Sequence, residues 1–210
     1  MIWVKPRAGR RAIIAAVPTA LDIIRDEHRS IAAVLHGMQH LVREIRERRA
    51  KIDPKVFCAM LYYLDTFSER MHHPKEDRYL FDPLRRRGAG PDSLIAELER
   101  DHAEGGNALR RVEQCLIRYE EGGEKEFAEF AGEVERFVEG YWEHMRKEEE
   151  HVFPLAQKLF SAADWEAIDR AFKAHADPLA EDRNERDFRK LFSRIVSLAP
   201  PPIGVGPAPS

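Results

Sequence analysis

Residues Phe127 to Phe160 read FAEFAGEVERFVEGYWEHMRKEEEHVFPLAQKLF, and the apolar positions Phe127, Phe130, Val134, Phe137, Tyr141, Leu155 and Leu159 recur at spacings of three and four. That spacing places them along one face of a helix. The same line carries His144 and Glu148, two ionisable side chains where a helix facing a core should be apolar. Working outward, Leu21, Ile24, Ile31, Leu35, Met38, Val42 and Ile45 form a second stripe, opened by Thr19 as an N-cap. Asp53 followed by Pro54 starts another helix, with Phe57, Leu61, Leu64 and Met71 running towards Leu84. After a turn at Gly88 to Pro91, the positions Ile95, Leu98, Leu109, Val112, Leu116 and Tyr119 mark a further stripe that stops at Gly122 and Gly123. Ser161 caps a shorter helix from Ala162 to about His175. No segment alternates as a strand does, so the expected fold class is all-α: an antiparallel up-down-up-down four-helix bundle with additional short C-terminal helices.

The 210 residues supply ample chain for such a core. The expected organisation is an N-terminal extension over residues 1–18, the bundle over 19–175, and a C-terminal helix with a disordered tail over 176–210. The 34 basic and 37 acidic residues are interspersed and leave a net charge of -3, which gives no footprint for nucleic acid. No apolar run reaches the roughly 20 residues of a membrane span, and the short run from Ala12 to Val17 is below a signal-peptide core, so a cytoplasmic protein is expected. Cys58 and Cys115 are isolated and form neither a metal pair nor a disulfide framework.

Each long stripe is interrupted by histidine. His28 lies between Ile24 and Ile31, His72 and Glu76 extend the line from Leu64 towards Tyr79, and His102 lies between Leu98 and Leu109. With His144 and Glu148 this makes four imidazoles and two carboxylates, and an antiparallel bundle can bring all six to one level. An H-x-x-x-E pair puts both side chains on one face a turn apart. A third such pair, His40 and Glu44, lies off its stripe among Arg43, Arg46 and Arg48, and reads as a solvated face. Imidazole with carboxylate suits iron, manganese or zinc. Two octahedral ions need roughly twelve ligand positions, and this set with a bridging oxygen fills about ten, leaving room for dioxygen, nitric oxide or peroxide.

His73 could exchange roles with His72, because Pro74 perturbs the helix there. His151 could be a further ligand, whereas His36 and His175 read as surface or flanking residues. Gly105 and Gly106, one turn after His102, leave room beside the site for a small ligand or water, as does Ala32 after His28. Asp26, Glu27, Asp101 and Glu99 could orient imidazoles, with Glu99 favoured by helix geometry. Tyr62, Tyr63 and Tyr141 are candidate proton donors.

The segments DEHRSI around His28, MHHPKEDRYLFDPL around His72 and Glu76, RDHAEGG around His102 and EHMRKEEEHVFPLA around His144 and Glu148 resemble the hemerythrin-like, or HHE cation-binding, family. The resemblance implies a non-haem di-iron centre held by His28, His72, Glu76, His102, His144 and Glu148. The cofactor it implies is a pair of iron ions bridged by carboxylate and oxo groups, with zinc or manganese as alternatives. Oxygen-carrying members have a second histidine where this chain has Gly106, and an aspartate where it has Glu148, which counts against reversible oxygen transport. The expected function is binding of a small ligand such as dioxygen, nitric oxide or peroxide in sensing or stress defence. The alternatives are an enzyme that decomposes peroxide or reduces nitric oxide, and an iron storage or handling protein.

Overall fold

The structure is a computed structural model that describes residues 19–48, 51–87, 92–174, 193–199 and 203–206. Among the described residues there is no strand. Helix α1 spans Ala20–Arg48. At its start, Thr19 Oγ1 donates to Asp22 Oδ2 at 2.8 Å and accepts from the Asp22 N–H at 3.3 Å, closing the first turn. Helix α2 covers residues 55–86, and its first turn is held by Asp53 Oδ1, which accepts from the Lys55 N–H at 3.0 Å. Helix α3 is Asp92–Gly122, and α4 covers residues 124–159. Gly123 links them with φ +73°, a left-handed conformation open to glycine at no steric cost. Helix α5 spans Ala162–Ala174 and is capped by Ser161 and Asp164 as the sequence suggests.

Helices α2 and α4 are not regular throughout. α2 widens to π-helix at Leu64–His72 and again at Asp77–Phe81, and α4 does so at Glu148–Val152. Each widened segment ends two residues before a proline: Pro74, Pro83 and Pro154. Proline inside a helix lacks the N–H for the i−4 carbonyl and its ring presses on that carbonyl. The backbone answers by shifting bonds to i−5, as where the His73 N–H donates to Ser68 O and the Phe153 N–H to Glu148 O.

The four long helices pack in a closed ring, α1 on α2 and α4, and α3 on α2 and α4, with the α3–α4 contact the most extensive. Helix α5 lies across α1 and the second widened turn of α2, where Asp169 Oδ1 accepts from the Ala20 N–H at 2.8 Å. The interior holds two separate apolar clusters. One contains Ile31, Leu35, Phe57, Leu64, Leu109 and Phe130; the other contains Ile24, Leu80, Phe81, Leu98, Val152 and Phe153. Every stripe passes from one cluster to the other across its histidine, so the polar residues form a layer dividing the core.

Of the residues 176–210, for which a C-terminal helix and a disordered tail are expected, the structure describes 193–199 and 203–206. Residues 182–192 and much of the tail lie outside the described residues, but 193–198 are helical, and Ile195 and Ala199 are buried in the first cluster. Ile203 packs on the same cluster, and Val205 and Gly206 donate backbone bonds to Val196 O and Ala199 O at 2.8 and 2.9 Å. Ile195, Ala199 and Ile203 have apolar surface to bury, and the 203–206 turn is held by those two bonds.

Candidate metal centre

The six residues singled out from the stripes meet in one buried layer. His28, His72, Glu76, His102, His144 and Glu148 are all buried, with both glutamates at 0% exposure. His28 comes from α1, His72 and Glu76 from α2, His102 from α3, and His144 and Glu148 from α4. His28 Nε2 lies 3.5 Å from Glu76 Oε1 and 3.2 Å from Glu148 Oε2. His72 Nε2 is 3.3 Å from Glu76 Oε2, and His144 Nε2 is 3.4 Å from Glu148 Oε1. His102 Nε2 is 2.9 Å from His144 Nε2 and 3.7 Å from Glu76 Oε2. Two donors bound to one ion at about 2.1 Å lie roughly 3.0–3.4 Å apart, and the His28–Glu148, His72–Glu76 and His144–Glu148 spacings are those of shared coordination.

The donors fall into overlapping sets, each mutually within 4.8 Å: His28, His72 and Glu76 on one side, and Glu76, His102, His144 and Glu148 on the other. Glu76 belongs to both, and Glu148 also faces His28. Neither oxygen of Glu76 nor of Glu148 has a hydrogen-bond partner, and His28 Nε2 has none. Two buried carboxylates left so would be strongly unfavourable. A cation between them satisfies all four oxygens at once, so the donor set fits a metal.

The outer faces of the imidazoles are equally ordered. His28 Nδ1 meets Glu149 Oε1 at 2.8 Å, His72 Nδ1 meets Glu27 Oε2 at 2.8 Å, His102 Nδ1 meets Asp77 Oδ1 at 2.7 Å, and His144 Nδ1 meets Asp101 Oδ2 at 3.4 Å. A carboxylate on Nδ1 fixes the ring and turns the Nε2 lone pair inward, as metal-binding histidines require. Glu27 is itself held by Lys75 Nζ at 2.5 Å. Of the carboxylates proposed from sequence, Glu27 and Asp101 take this role. Glu99 and Asp26 do not: Glu99 pairs with Arg85 and Asp26 with Arg29, because both lie on outward faces. All four carboxylates reach an imidazole on a different helix, Glu27 and Asp101 included, which sequence spacing does not show; Glu149 and Asp77 are the two that the sequence does not single out.

His73 is the larger difference. Sequence spacing favours one inward imidazole of the pair; the structure buries both, His72 at 1% and His73 at 5% exposure. His73 stacks on His102 with ring centroids 4.1 Å apart and forms a third donor set with His102 and His144. Burial and the neighbouring His102 hold its pKa down to about 4 against the opposing pull of Glu69, so the ring is neutral and able to coordinate. The widened turn of α2 ahead of Pro74 narrows the step between consecutive side chains below the 100° of a regular helix. His151 and His36 are exposed, and His175 lies outside the described residues. His40 and Glu44 are half-buried and belong to none of the donor sets. Gly105 does not leave space for a ligand: a Cβ there would fall 2.3 Å from Glu69 Oε2, so the glycine makes room for that buried carboxylate. At Gly106 a Cβ would meet only the Arg110 guanidinium, and Ala32 packs on the apolar core.

The sequence from residue 19 to 156 matches the model of the hemerythrin HHE cation-binding domain. The chain belongs to the hemerythrin HHE family. Neither a comparison with curated proteins nor one with solved structures returned a match. Membership in a cation-binding family agrees with a buried donor layer whose carboxylate oxygens make no hydrogen bond. No helix among the described residues is long and apolar enough to cross a membrane.

In this hemerythrin HHE layer, charge balance without metal falls to protons. Burial opposes charging of His28, but Glu148 and Glu76 outweigh it and raise its pKa to about 11. Burial likewise opposes His144, and Glu148 with Asp101 raises it to about 10. Both pKa values lie above that of an unfolded histidine, so the stabilisation they give the metal-free fold is complete below about pH 6.5 and is lost as pH rises towards 10 or 11. A metal must displace these protons. Titrating zinc or ferrous ion into metal-free protein in weak buffer at pH 8, with a pH indicator, should release about two protons per chain, and the metal-free melting temperature should fall between pH 7 and 10. Release near zero at pH 8 would show that the imidazoles were already neutral.

Proposed function

We propose that the protein is an antiparallel four-helix bundle that holds two metal ions, iron in the first instance, and binds a small ligand such as dioxygen, nitric oxide or peroxide in sensing or stress defence. The observation that carries this reading is the set of four buried carboxylate oxygens on Glu76 and Glu148 that make no hydrogen bond, faced by the Nε2 atoms of four imidazoles from four helices. His28 and His72 would hold one ion, and His102, His144 and His73 the other, with Glu76 and Glu148 spanning both. Bound iron would supply a redox-active centre with an open position for a small ligand. The protein's own part is to aim the imidazoles inward through Glu149, Glu27, Asp77 and Asp101, between the two apolar clusters.

A second reading, an enzyme acting on peroxide or nitric oxide, is supported by Tyr141. Its hydroxyl donates to Glu69, and its ring lies 5.9 Å from that of His73, which places an O–H donor beside the layer. Of the other candidate donors, Tyr62 is exposed, and Tyr63 is buried, with burial pushing its hydroxyl pKa up. The test is metal analysis and a visible spectrum of protein reconstituted anaerobically with ferrous ion, before and after exposure to air. About two irons per chain and an absorption band that appears on exposure are expected; no bound iron, or a spectrum indifferent to His72→Ala, would refute the proposal. Sustained turnover of peroxide or nitric oxide would select the enzyme reading.

A further inference from the structure

Of the four carboxylates behind the imidazoles, one is built differently. The side chains of Glu149, Asp77 and Asp101 are 42, 42 and 45% exposed, and among the described residues none of them pairs with a lysine or arginine within 4 Å. Glu27 is 14% exposed and is gripped at both oxygens: Oε2 meets His72 Nδ1 at 2.8 Å, and Oε1 accepts from Lys75 Nζ at 2.5 Å. His72 and Lys75 stand three residues apart on α2, so the two contacts tie Glu27 of α1 to α2 beside the donor layer. Lys75 is itself unusual, because lysine is seldom buried and this one is 8% exposed. Its ammonium also lies over the ring of Phe172, 5.3 Å from the centroid. Phe172 is 2% exposed and belongs to α5, which is fastened elsewhere by Asp169 on the Ala20 N–H and by Asp164 on Arg87 at 2.6 Å. A chain of contacts therefore runs from α5 through Lys75 and Glu27 to His72.

Resting on the metal reading above, we propose that Lys75 is a positioning residue for the ion held by His28 and His72, and that α5 is the clasp that keeps Lys75 in place. A carboxylate with one free oxygen can rotate or turn out to water, and the imidazole it orients then loses its direction. With Oε1 fixed by an ammonium inside the fold, Glu27 keeps one orientation, and His72 Nε2 stays aimed at Glu76 and the layer. No such clamp stands behind His102 or His144, whose carboxylates are half-exposed, so disturbing Lys75 should release one ion and spare the other.

The experiment uses full-length protein loaded with cobalt(II), whose visible absorption reports the donors around it, mixed with excess EDTA and followed by stopped-flow absorbance. Lys75→Met keeps an apolar stem and removes the ammonium; it should speed the loss of one of the two ions by about tenfold or more and leave the other at the parent rate. Glu27→Gln should speed the loss of the same ion, and the double variant should be no faster than Glu27→Gln alone, because Lys75 acts through Glu27. A merely structural contribution from Lys75 would instead add in full. Phe172→Leu, which leaves both charges in place and so spares the fold, should speed the same ion by roughly threefold, the effect of losing one cation–π contact. Parent rates in Lys75→Met or in Phe172→Leu, equal speeding of both ions, or full additivity in the double variant would overturn this inference, and the metal reading would stand on the ions the parent holds. If the parent takes up no metal, it is the metal reading that fails.

Discussion

Glu148→Gln should leave the protein folded but with less than one metal ion per chain, where the parent holds about two. The amide keeps the shape of the carboxylate and removes its charge. Glu148 is fully buried, its pKa is held well below the ordinary range by His144 and His28 despite burial, and its oxygens face donors of both proposed ions. Without that charge the lone remaining carboxylate, Glu76, cannot neutralise two divalent ions in a dry interior. The metal-free variant should tolerate the change, because Glu148 is the largest of the groups that favour the charged forms of His28 and His144, and the new amide can still hydrogen-bond at their Nε2 atoms. Metal analysis and melting with and without chelator read both halves: the metal-dependent gain in stability, about 2.7 kcal/mol for a ligand at a hundred times its dissociation constant, should vanish. His40→Ala, which alters the histidine of the third H-x-x-x-E pair, should keep the full metal content. Two tightly held ions in Glu148→Gln would remove Glu148 from the centre.

The contrast between Glu148 and His40 shows what was legible before any coordinates. A helix that faces a core writes its orientation as a 3.6-residue period, so an ionisable residue on that line is visible as an interruption, and His28, His72, Glu76, His102, His144 and Glu148 were found that way. Whatever departs from the period was hidden. His73 sits one residue from His72 and should point elsewhere on a regular helix; it turns inward because the turn ahead of Pro74 is widened. Glu69 lies in the same widened segment and is hidden for the same reason, although Gly105, the residue that accommodates it, is visible in the sequence as a glycine on the His102 face. The partners Glu149 and Asp77 depend on which helices are neighbours and at what height, which is tertiary information. The repeated proline, at Pro74, Pro83 and Pro154, was the available signal. Each marks a place where the helical period breaks, and two of the three breaks carry a proposed ligand at their edge, His72 and Glu148.

Phe57→Ala should lower the stability of the metal-loaded protein by about 3–5 kcal/mol, a fall in melting temperature on the order of 10 °C, while leaving the metal content at the parent value. Phe57 is 1% exposed and meets Phe130 edge-on, with ring centroids 5.1 Å apart, in the cluster away from α5. Truncation removes a ring from a closely packed region that cannot collapse to fill the space. The insulation of the donor layer is the point at issue. Phe57 makes no ring contact with an imidazole, whereas Phe153, in the other cluster, stacks on His28. Phe153→Ala should therefore carry a comparable loss of stability and also weaken metal retention against a chelator, because the ring that holds His28 in place is gone. Melting curves paired with the rate of metal loss to chelator separate the cases. Equal acceleration of metal loss by both variants would mean that the layer is supported by the core as a whole; loss confined to Phe153→Ala would mean that His28 is aimed by the aromatic ring stacked on it and the carboxylate at its Nδ1, and that the larger cluster contributes stability alone.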